Sequence, residues 1–390
     1  MEAMVEDTLD AGMAVHMIAS RSSGVLPEVP EHLVNRDDFT HVLVARRSVA
    51  KHAFAKRYLS GVKYAWDCRK HIKKVVDCDL VYVQSSPTVL YNILLVRWYL
   101  RKVPIIYSIQ DMFPGSAIAS GVMRYRWMQR VFYRLQKIAY RMSDAITVIS
   151  EDMKLKVVEQ GIPEDKVYEI VNWFDDRTVR EITWEENRFV RKYNLRRDCF
   201  YVQYAGTMGY VFDYEMVLAV AESLRDYKDI VFQMIGDGSQ KKAFQQEAER
   251  RGLPNIVFYP LEPQEMVSDV YSACSVCLIP LKKGVIGNSV PSKAALVMAC
   301  RRPIVNSVDP ESRYFRMFNE QEIGLSAPND DPEAVAAAIL RLYRDGALRE
   351  RLATNAYDFS RQYYSRSRNT QMLLDLFRTV VDQKRDGKKG

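Results

Sequence analysis

The chain has 390 residues, enough for two or three domains that each bury a core. Its 48% hydrophobic and 27% charged residues exclude a disordered or fibrous chain and fit a soluble globular protein. The net charge of +7 is too modest to name a partner, so where the charge sits matters more than its total.

The chain opens with MEAMVEDTLDAG, in which Met1, Met4, Val5 and Leu9 recur at helical spacing and Gly12 is a stop signal. A strand, MAVHMIAS, follows. Doubly wound domains begin with a central strand and a glycine-rich turn ahead of their first helix. Neither precedes this helix, so the expectation is a domain lacking its first strand and phosphate-facing loop, or a start codon placed too late. The five histidines (His16, His32, His41, His52 and His71) have no acids or cysteines grouped with them. Neither a histidine triad nor a zinc site is expected.

The first half continues with strand runs THVLVAR, DLVYVQS, PIIYSIQ, AITVIS and VYEIVN, separated by helical patterns. VLYNILLVRWYL (89–100) is too short to span a bilayer and carries Asn92 and Arg97, so it reads as a buried helix. No secretory signal is read at the start. Ser85 and Ser86 stand at one strand end, where they can face a ligand or cap the next helix. Gln110 and Asp111 stand at another. Charge is uneven here. GVMRYRWMQRVFYRLQKIAYRMS (121–143) carries Arg124, Arg126, Arg130, Arg134, Lys137 and Arg141 without an acid, among Trp127, Phe132, Tyr133 and Tyr140. Residues 52–74 are similar. Basic amphipathic helices with aromatic residues suit an anionic membrane surface, a nucleic acid or merely solvent. No nucleic-acid recognition motif accompanies them, so no nucleic-acid partner is expected.

A polar stretch, 172–199, separates these strands from FYVQYAG, DIVFQMIG, NIVFYPL, VCLIPL, PIVNS and GLSA. Alternating strands and helices indicate α/β domains with parallel sheets. Asp331, Pro332 and Glu333 mark a helix start. Six cysteines (Cys68, Cys78, Cys199, Cys274, Cys277, Cys300) read as reduced thiols, and Cys274-x-x-Cys277 as core packing.

Three loops follow strands in this half. YAGTMGYVFD holds Gly206, Thr207 and Gly209, and MIGDGSQ holds Gly236 and Gly238. Glycines there let backbone amides approach a phosphate, although tight turns need glycine in any case. In GNSVPSK, Ser292 and Lys293 open a helix, and the lysine adds a point charge suited to a diphosphate. A solvated lysine is the plainer alternative.

The order and spacing of these segments, from DLVYVQSSPTVL through IQDMFPGSAIASGVM, YAGTMGY and MIGDGS to GVIGNSVPSKAALVMACRRPIV, resemble glycosyltransferase family 4. The likeness is to its bacterial O-antigen and capsule branch. The resemblance implies an α/β GT-B fold of two facing Rossmann-like doubly wound domains. Residues 1–180 correspond to the acceptor-binding domain, 181–199 to a linker, and 200–360 to the donor-binding domain. Residues 361–390 correspond to a C-terminal helix packing back on the first domain, with a basic tail. The family implies a nucleotide-sugar donor, UDP-linked in preference to GDP-linked, and a lipid-linked saccharide acceptor. Transfer proceeds with retention and without a bound metal or other cofactor. It also implies a cytoplasmic protein, peripheral on the inner face of the plasma membrane.

By this resemblance the nucleobase lies near Tyr259, Pro260 and Leu261, and the diphosphate near Gly206–Gly209 and Lys293. Ser85 and Gln110 lie on the acceptor side. There Asp111 either orients and deprotonates an acceptor hydroxyl or caps a turn. The family's ribose-binding glutamate falls at Leu296, and its earlier acid at Asn288, which can still hydrogen-bond a sugar. Losing a charged hydrogen bond costs about 1.5–3 kcal/mol. A transferase is the leading expectation. A non-catalytic partner of an active glycosyltransferase, or a truncated product of an active enzyme, are the alternatives.

Overall fold

The computed structural model of the protein describes residues 2–22, 29–46, 49, 54–75, 77–119 and 121–386. His52 and the last four residues of the basic tail lie outside the described residues. The chain forms two compact units. Met1–Ile149, Met153–Ile170 and Thr370–Gly390 make the first, and Ser150–Asp152 and Val171–Asn369 the second.

In the first unit β1 (Val15–Ser22) and β2 (Phe39–Arg46) pair in parallel, with Val15 opposite Phe39. β3 (Val81–Gln84), β4 (Ile105–Ile109), β5 (Ala145–Val148) and β6 (Val167–Glu169) form a separate parallel sheet in that order. Every residue of β4 and β5 is buried, as central strands of a parallel sheet covered on both faces must be. Among the described residues β1 and β3 each keep one edge without a strand neighbour.

The helices Phe54–Ile72, Val89–Tyr99 and Arg126–Met142 lie side by side. Tyr58 joins them, edge-on to Tyr91 at 6.3 Å and to Phe132 at 5.2 Å. The end of the last helix, Arg366–Asp386, belongs to this unit: Phe377 packs on Tyr82 at 5.7 Å and Lys384 reaches Asp144 at 3.1 Å. Asp144 also accepts from Ile105 N at 2.7 Å and from Arg97 at 2.5 Å. Burial works to raise the pKa of this carboxyl, but the three donors prevail and hold it below the usual range.

The second unit is built on one parallel sheet of β7 (Phe200–Ala205), β8 (Ile230–Ile235), β9 (Ile256–Tyr259), β10 (Val276–Pro280), β11 (Ile304–Val308) and β12 (Gly324–Pro328). Its order, β12-β11-β10-β7-β8-β9, is that of a doubly wound domain, and the chain reverses direction across the sheet between β7 and β10. Strand alternation divides the core in two. Val276 and Leu278 point to one cluster with Met216 and Val217, while Cys277 and Ile279 point to the other with Val297 and Met298. Cys274 and Cys277 are buried free thiols, and burial pushes Cys277 up to about 12. Asp331 caps the helix Pro332–Arg344 by accepting from Ala334 N at 2.9 Å.

The segment 181–199 does not behave as a linker. It belongs to the second unit and contains the helix Arg188–Tyr193. Asn187 caps that helix through Val190 N at 3.0 Å and donates to Asp269 O at 2.8 Å. Phe189 is fully buried, and Arg188 pairs with Asp269 at 2.6 Å. The charged residues that make the segment look like a spacer line its outer side, while Phe189 and Val190 anchor it. The C-terminal region is likewise two helices, Gly346–Tyr363 and Arg366–Asp386, and their junction at Tyr364 stays in the second unit.

Candidate active site

Ligands of open α/β sheets bind beyond the carboxyl ends of the strands, where the strand order reverses. In the second unit this places the site at the loops after β7 and β10. The two loops are zipped together: Asp213 N donates to Pro280 O at 3.1 Å and Lys282 N to Val211 O at 3.0 Å. The loop after β8 closes on them. Met208 N donates to Asp237 O at 2.8 Å, and Gln240 N returns a bond to Met208 O at 3.0 Å.

This contact explains two of the glycines. A Cβ on Gly236 would lie 2.0 Å from Gly206 O, and one on Gly238 2.3 Å from Met208 O. Both glycines therefore let the second loop lie flush on the first, backbone against backbone. Gly206 has a different neighbour. A Cβ there would meet Lys293 Nζ at 2.9 Å, so its bareness leaves room for the ammonium. Thr207 is exposed and Gly209 partly buried in the same loop.

Lys293 begins the seven-residue helix Lys293–Ala299, with Ser292 exposed ahead of it and making no side-chain cap. The Lys293 ammonium sits 3.4 Å from the centre of the Tyr204 ring. Burial pulls its pKa down to about 7, while Cys277 acts weakly the other way. An ammonium stripped of water and resting on a π face gains strongly from any anion that reaches it. Tyr204 is itself fixed, donating to Thr207 O at 2.7 Å.

Asn288 is held in the loop after β10, where its Nδ2 donates to Gly284 O at 2.8 Å. Asp309 fixes that loop from below, accepting from Gly284 N at 2.7 Å and Ile286 N at 3.3 Å. Leu296 is partly buried against the core cluster of Val297 and Met298. Tyr259 ends β9, and its carbonyl accepts from Gly236 N at 3.3 Å. Its ring rests on Tyr193 at 4.7 Å and Phe189 at 5.4 Å. Burial raises its phenol pKa. Pro260 and Leu261 beside it are exposed.

The structure thus gathers Gly206, Thr207, Gly209, Gly236, Gly238, Tyr259 and Lys293 around one strand-end surface, with Asn288 and Ser292 on the loop that leads to Lys293. Sequence reasoning missed Lys241, whose Nζ donates to Gly236 O at 2.7 Å and Tyr259 O at 3.3 Å. It also missed Asp309 and the Phe189–Tyr193 wall. The aromatic pair at i and i+4 behind a capping Asn187 was the available signal for that wall.

Ser85, Gln110 and Asp111 belong to the first unit. Ser85 Oγ accepts from Gln110 N at 3.0 Å and from Asp111 N at 3.4 Å. The serine hydroxyl therefore pins the turn after β4, and Asp111 is exposed on that turn. Ser86 lies 3.5 Å from the Thr88 hydroxyl.

Comparison with known proteins gives matches along nearly the whole chain. The family model described as Glycosyltransferase Family 4 matches residues 2–177, and that of Glycosyl transferases group 1 matches residues 185–359. A probable glycosyltransferase, WbjE of Pseudomonas aeruginosa, is 25% identical over 67% of this chain and 65% of its own length. The putative colanic acid biosynthesis glycosyl transferase WcaI of Escherichia coli K12 is 26% identical over 40% of this chain and 38% of its own. The chain is therefore aligned to less than two thirds of either relative. In fold it is similar to sucrose-phosphate synthase of Thermosynechococcus elongatus, with a TM-score of 0.75 at 16% identity over 97% of this chain and 92% of that one. It is also similar to Anabaena HepE solved with UDP-glucose, with a TM-score of 0.69 at 14% identity over 93% and 99%.

Proposed function

The chain belongs to the GT-B glycosyltransferases of family 4, of the bacterial polysaccharide type, and from that footing we propose that it transfers a sugar from a UDP-sugar to a lipid-linked saccharide in cell-surface polysaccharide synthesis. The observation that carries the proposal is Lys293, an ammonium desolvated beneath the Gly206 loop at the carboxyl end of the sheet.

In the proposed reaction the bond between the sugar's anomeric carbon and the diphosphate breaks, and a bond to an acceptor oxygen forms on the same face. Charge develops on the leaving diphosphate. In this reading Lys293 stabilises it together with the Thr207 and Gly209 amides, because those of Gly206 and Met208 already donate to Ile235 O and Asp237 O. No bound metal is assigned to the step. Tyr259, braced by Tyr193 and Phe189, offers its side to the base, and Asn288 a hydrogen bond to the sugar. Asp111 is the proposed group that orients the acceptor hydroxyl and takes its proton. UDP as the nucleotide is supported by the UDP-glucose complex of HepE. The acceptor chemistry goes with a protein working against the inner face of the plasma membrane, and no helix among the described residues is long and apolar enough to cross one.

Leu296 favours a second reading. An apolar side chain packed into the core stands where the family resemblance puts the ribose-binding acid. A non-catalytic member that partners an active transferase would tolerate that loss. Calorimetric titration with UDP and with GDP separates the two. Micromolar binding of UDP supports the transferase, and absence of binding to either nucleotide in folded protein overturns it.

A further inference from the structure

Ten of the fifteen exposed large apolar side chains among the described residues fall between residues 59 and 138. They are not scattered there. On the helix Phe54–Ile72, Leu59 and Trp66 are two turns apart and 66% and 58% exposed. On Val89–Tyr99, Leu94 and Trp98 are one turn apart, with Trp98 68% exposed. On Arg126–Met142, Trp127, Val131 and Ile138 share one outer stripe. These three helices are neighbours, tied by Tyr58, Tyr91 and Phe132. Each of these packed helices thus carries an exposed apolar stripe.

The charge beside these stripes has a single sign. Apart from Arg97, which turns inward to Asp144, the three helices carry ten Lys and Arg residues against one acid, Asp67. Lys63 and Lys70 alternate with Leu59 and Trp66, and Arg130, Arg134 and Arg141 flank Val131 and Ile138, all exposed. Arg69 lies 4.0 Å from the Trp66 ring, and Lys73 5.0 Å from that of Tyr99. A merely solvated helix mixes Glu with Lys at i, i+4 spacing and does not leave tryptophans in water. A nucleic-acid surface has the cations but no use for exposed Leu, Val and Ile. Aliphatic and indole groups set among cations match the boundary between acyl chains and anionic headgroups.

We propose that this three-helix face docks the protein on an anionic lipid surface, with Trp66, Trp98 and Trp127 as its interfacial anchors. It gives residues to the membrane partner proposed above and rests on that reading only for its place in the cell. The test needs neither donor nor acceptor, so it can fail while nucleotide binding stands, and the reverse.

The experiment is flotation of the purified full chain with vesicles of phosphatidylcholine alone and with about one third phosphatidylglycerol, alongside tryptophan fluorescence. Binding to the anionic vesicles with a blue shift of the emission is expected, weakening as salt is raised. The triple variant Trp66→Ala, Trp98→Ala, Trp127→Ala should lose at least about tenfold in vesicle affinity, for loss of the interfacial contacts. The double variant Arg130→Glu, Arg134→Glu should lose a similar amount and guards against misfolding of the first. Unchanged vesicle binding in both folded variants overturns the proposal. So does equal binding to the neutral vesicles, or retention by duplex DNA and not by anionic vesicles.

Discussion

The Lys293 ammonium rests 3.4 Å from the centre of the Tyr204 ring, two side chains from elements almost ninety residues apart in sequence. The ring takes the place of water on one side of the charge, and Gly206 leaves the other side bare. Burial draws the pKa of this ammonium down to about 7 in the absence of ligand.

A pH dependence follows, with opposite signs for binding and for folding. The free ammonium titrates at about 7, so UDP affinity falls as pH rises above it, by up to about tenfold per unit. The nucleotide's terminal phosphate titrates near pH 6 in any variant, so the difference between wild type and Lys293→Met isolates the lysine. In the ligand-free protein the unfolded lysine, with a pKa of about 10.4, holds a proton that the folded one releases. Folding stability therefore rises with pH between about 7 and 10. Lys293→Met should bind UDP more weakly yet melt higher than wild type at neutral pH, which calorimetry and thermal unfolding together can check.

The glycine loops rank their own substitutions. Gly236→Ala sets a methyl 2.0 Å from a backbone oxygen, which cannot move without its loop. Gly206→Ala meets the tip of a flexible lysine at 2.9 Å, and the φ of +144° there strains any side chain. We expect Gly236→Ala to cost more than about 3 kcal/mol and roughly 8 °C in Tm. Gly206→Ala should cost about 1–3 kcal/mol and weaken nucleotide binding as Lys293 is displaced. Equal effects in thermal melts would contradict the ranking.

Leu296→Glu should tighten UDP binding by about tenfold, the value of a charged hydrogen bond to a ribose hydroxyl. Because Leu296 packs on the core, the same change should lower Tm by a few degrees. A titration showing the stability loss without the gain in affinity would mean that the pocket has been remodelled around the leucine.

Asp144 makes a prediction about acid. Its carboxylate joins β4, Arg97 and Lys384, and its folded pKa lies below the ordinary value. Its contribution is therefore present above about pH 4 and is lost as pH falls through the folded value. Asp144→Asn should cost about 3 kcal/mol at pH 7, and the difference from wild type should shrink in acid denaturation.

All twelve strands among the described residues were legible in the sequence, the central ones because a parallel sheet buried on both faces demands continuous apolar runs such as VCLIPL and PIIYSIQ. That Gly206, Gly236 and Lys293 stand at the carboxyl ends of strands or in the loops that follow them was legible too, since strand ends and glycine loops announce themselves. What escaped was anything whose role depends on a distant partner. Phe189 and Tyr193 looked like part of a spacer because their neighbours are charged, and only the fold shows them against Tyr259. Asp309 carried no signal of its own, because the loop it holds lies 23 to 25 residues away in the chain. Gly236 and Gly238 were visible as glycines, but their reason lies in backbone contact with another loop.

That contact has a consequence for redesign. The loops after β7 and β8 meet backbone to backbone at Gly236 and Gly238 and are tied further by the Gln240 side-chain amide, which donates to Gly209 O and Phe212 O, so neither is independent of the other. A loop transplanted alone from a relative would arrive with the wrong counterpart beneath it. Under the proposed function, a change of donor preference is better attempted at Tyr259 and Asn288, whose side chains engage Phe189, Tyr193 and Gly284 and take no part in this contact.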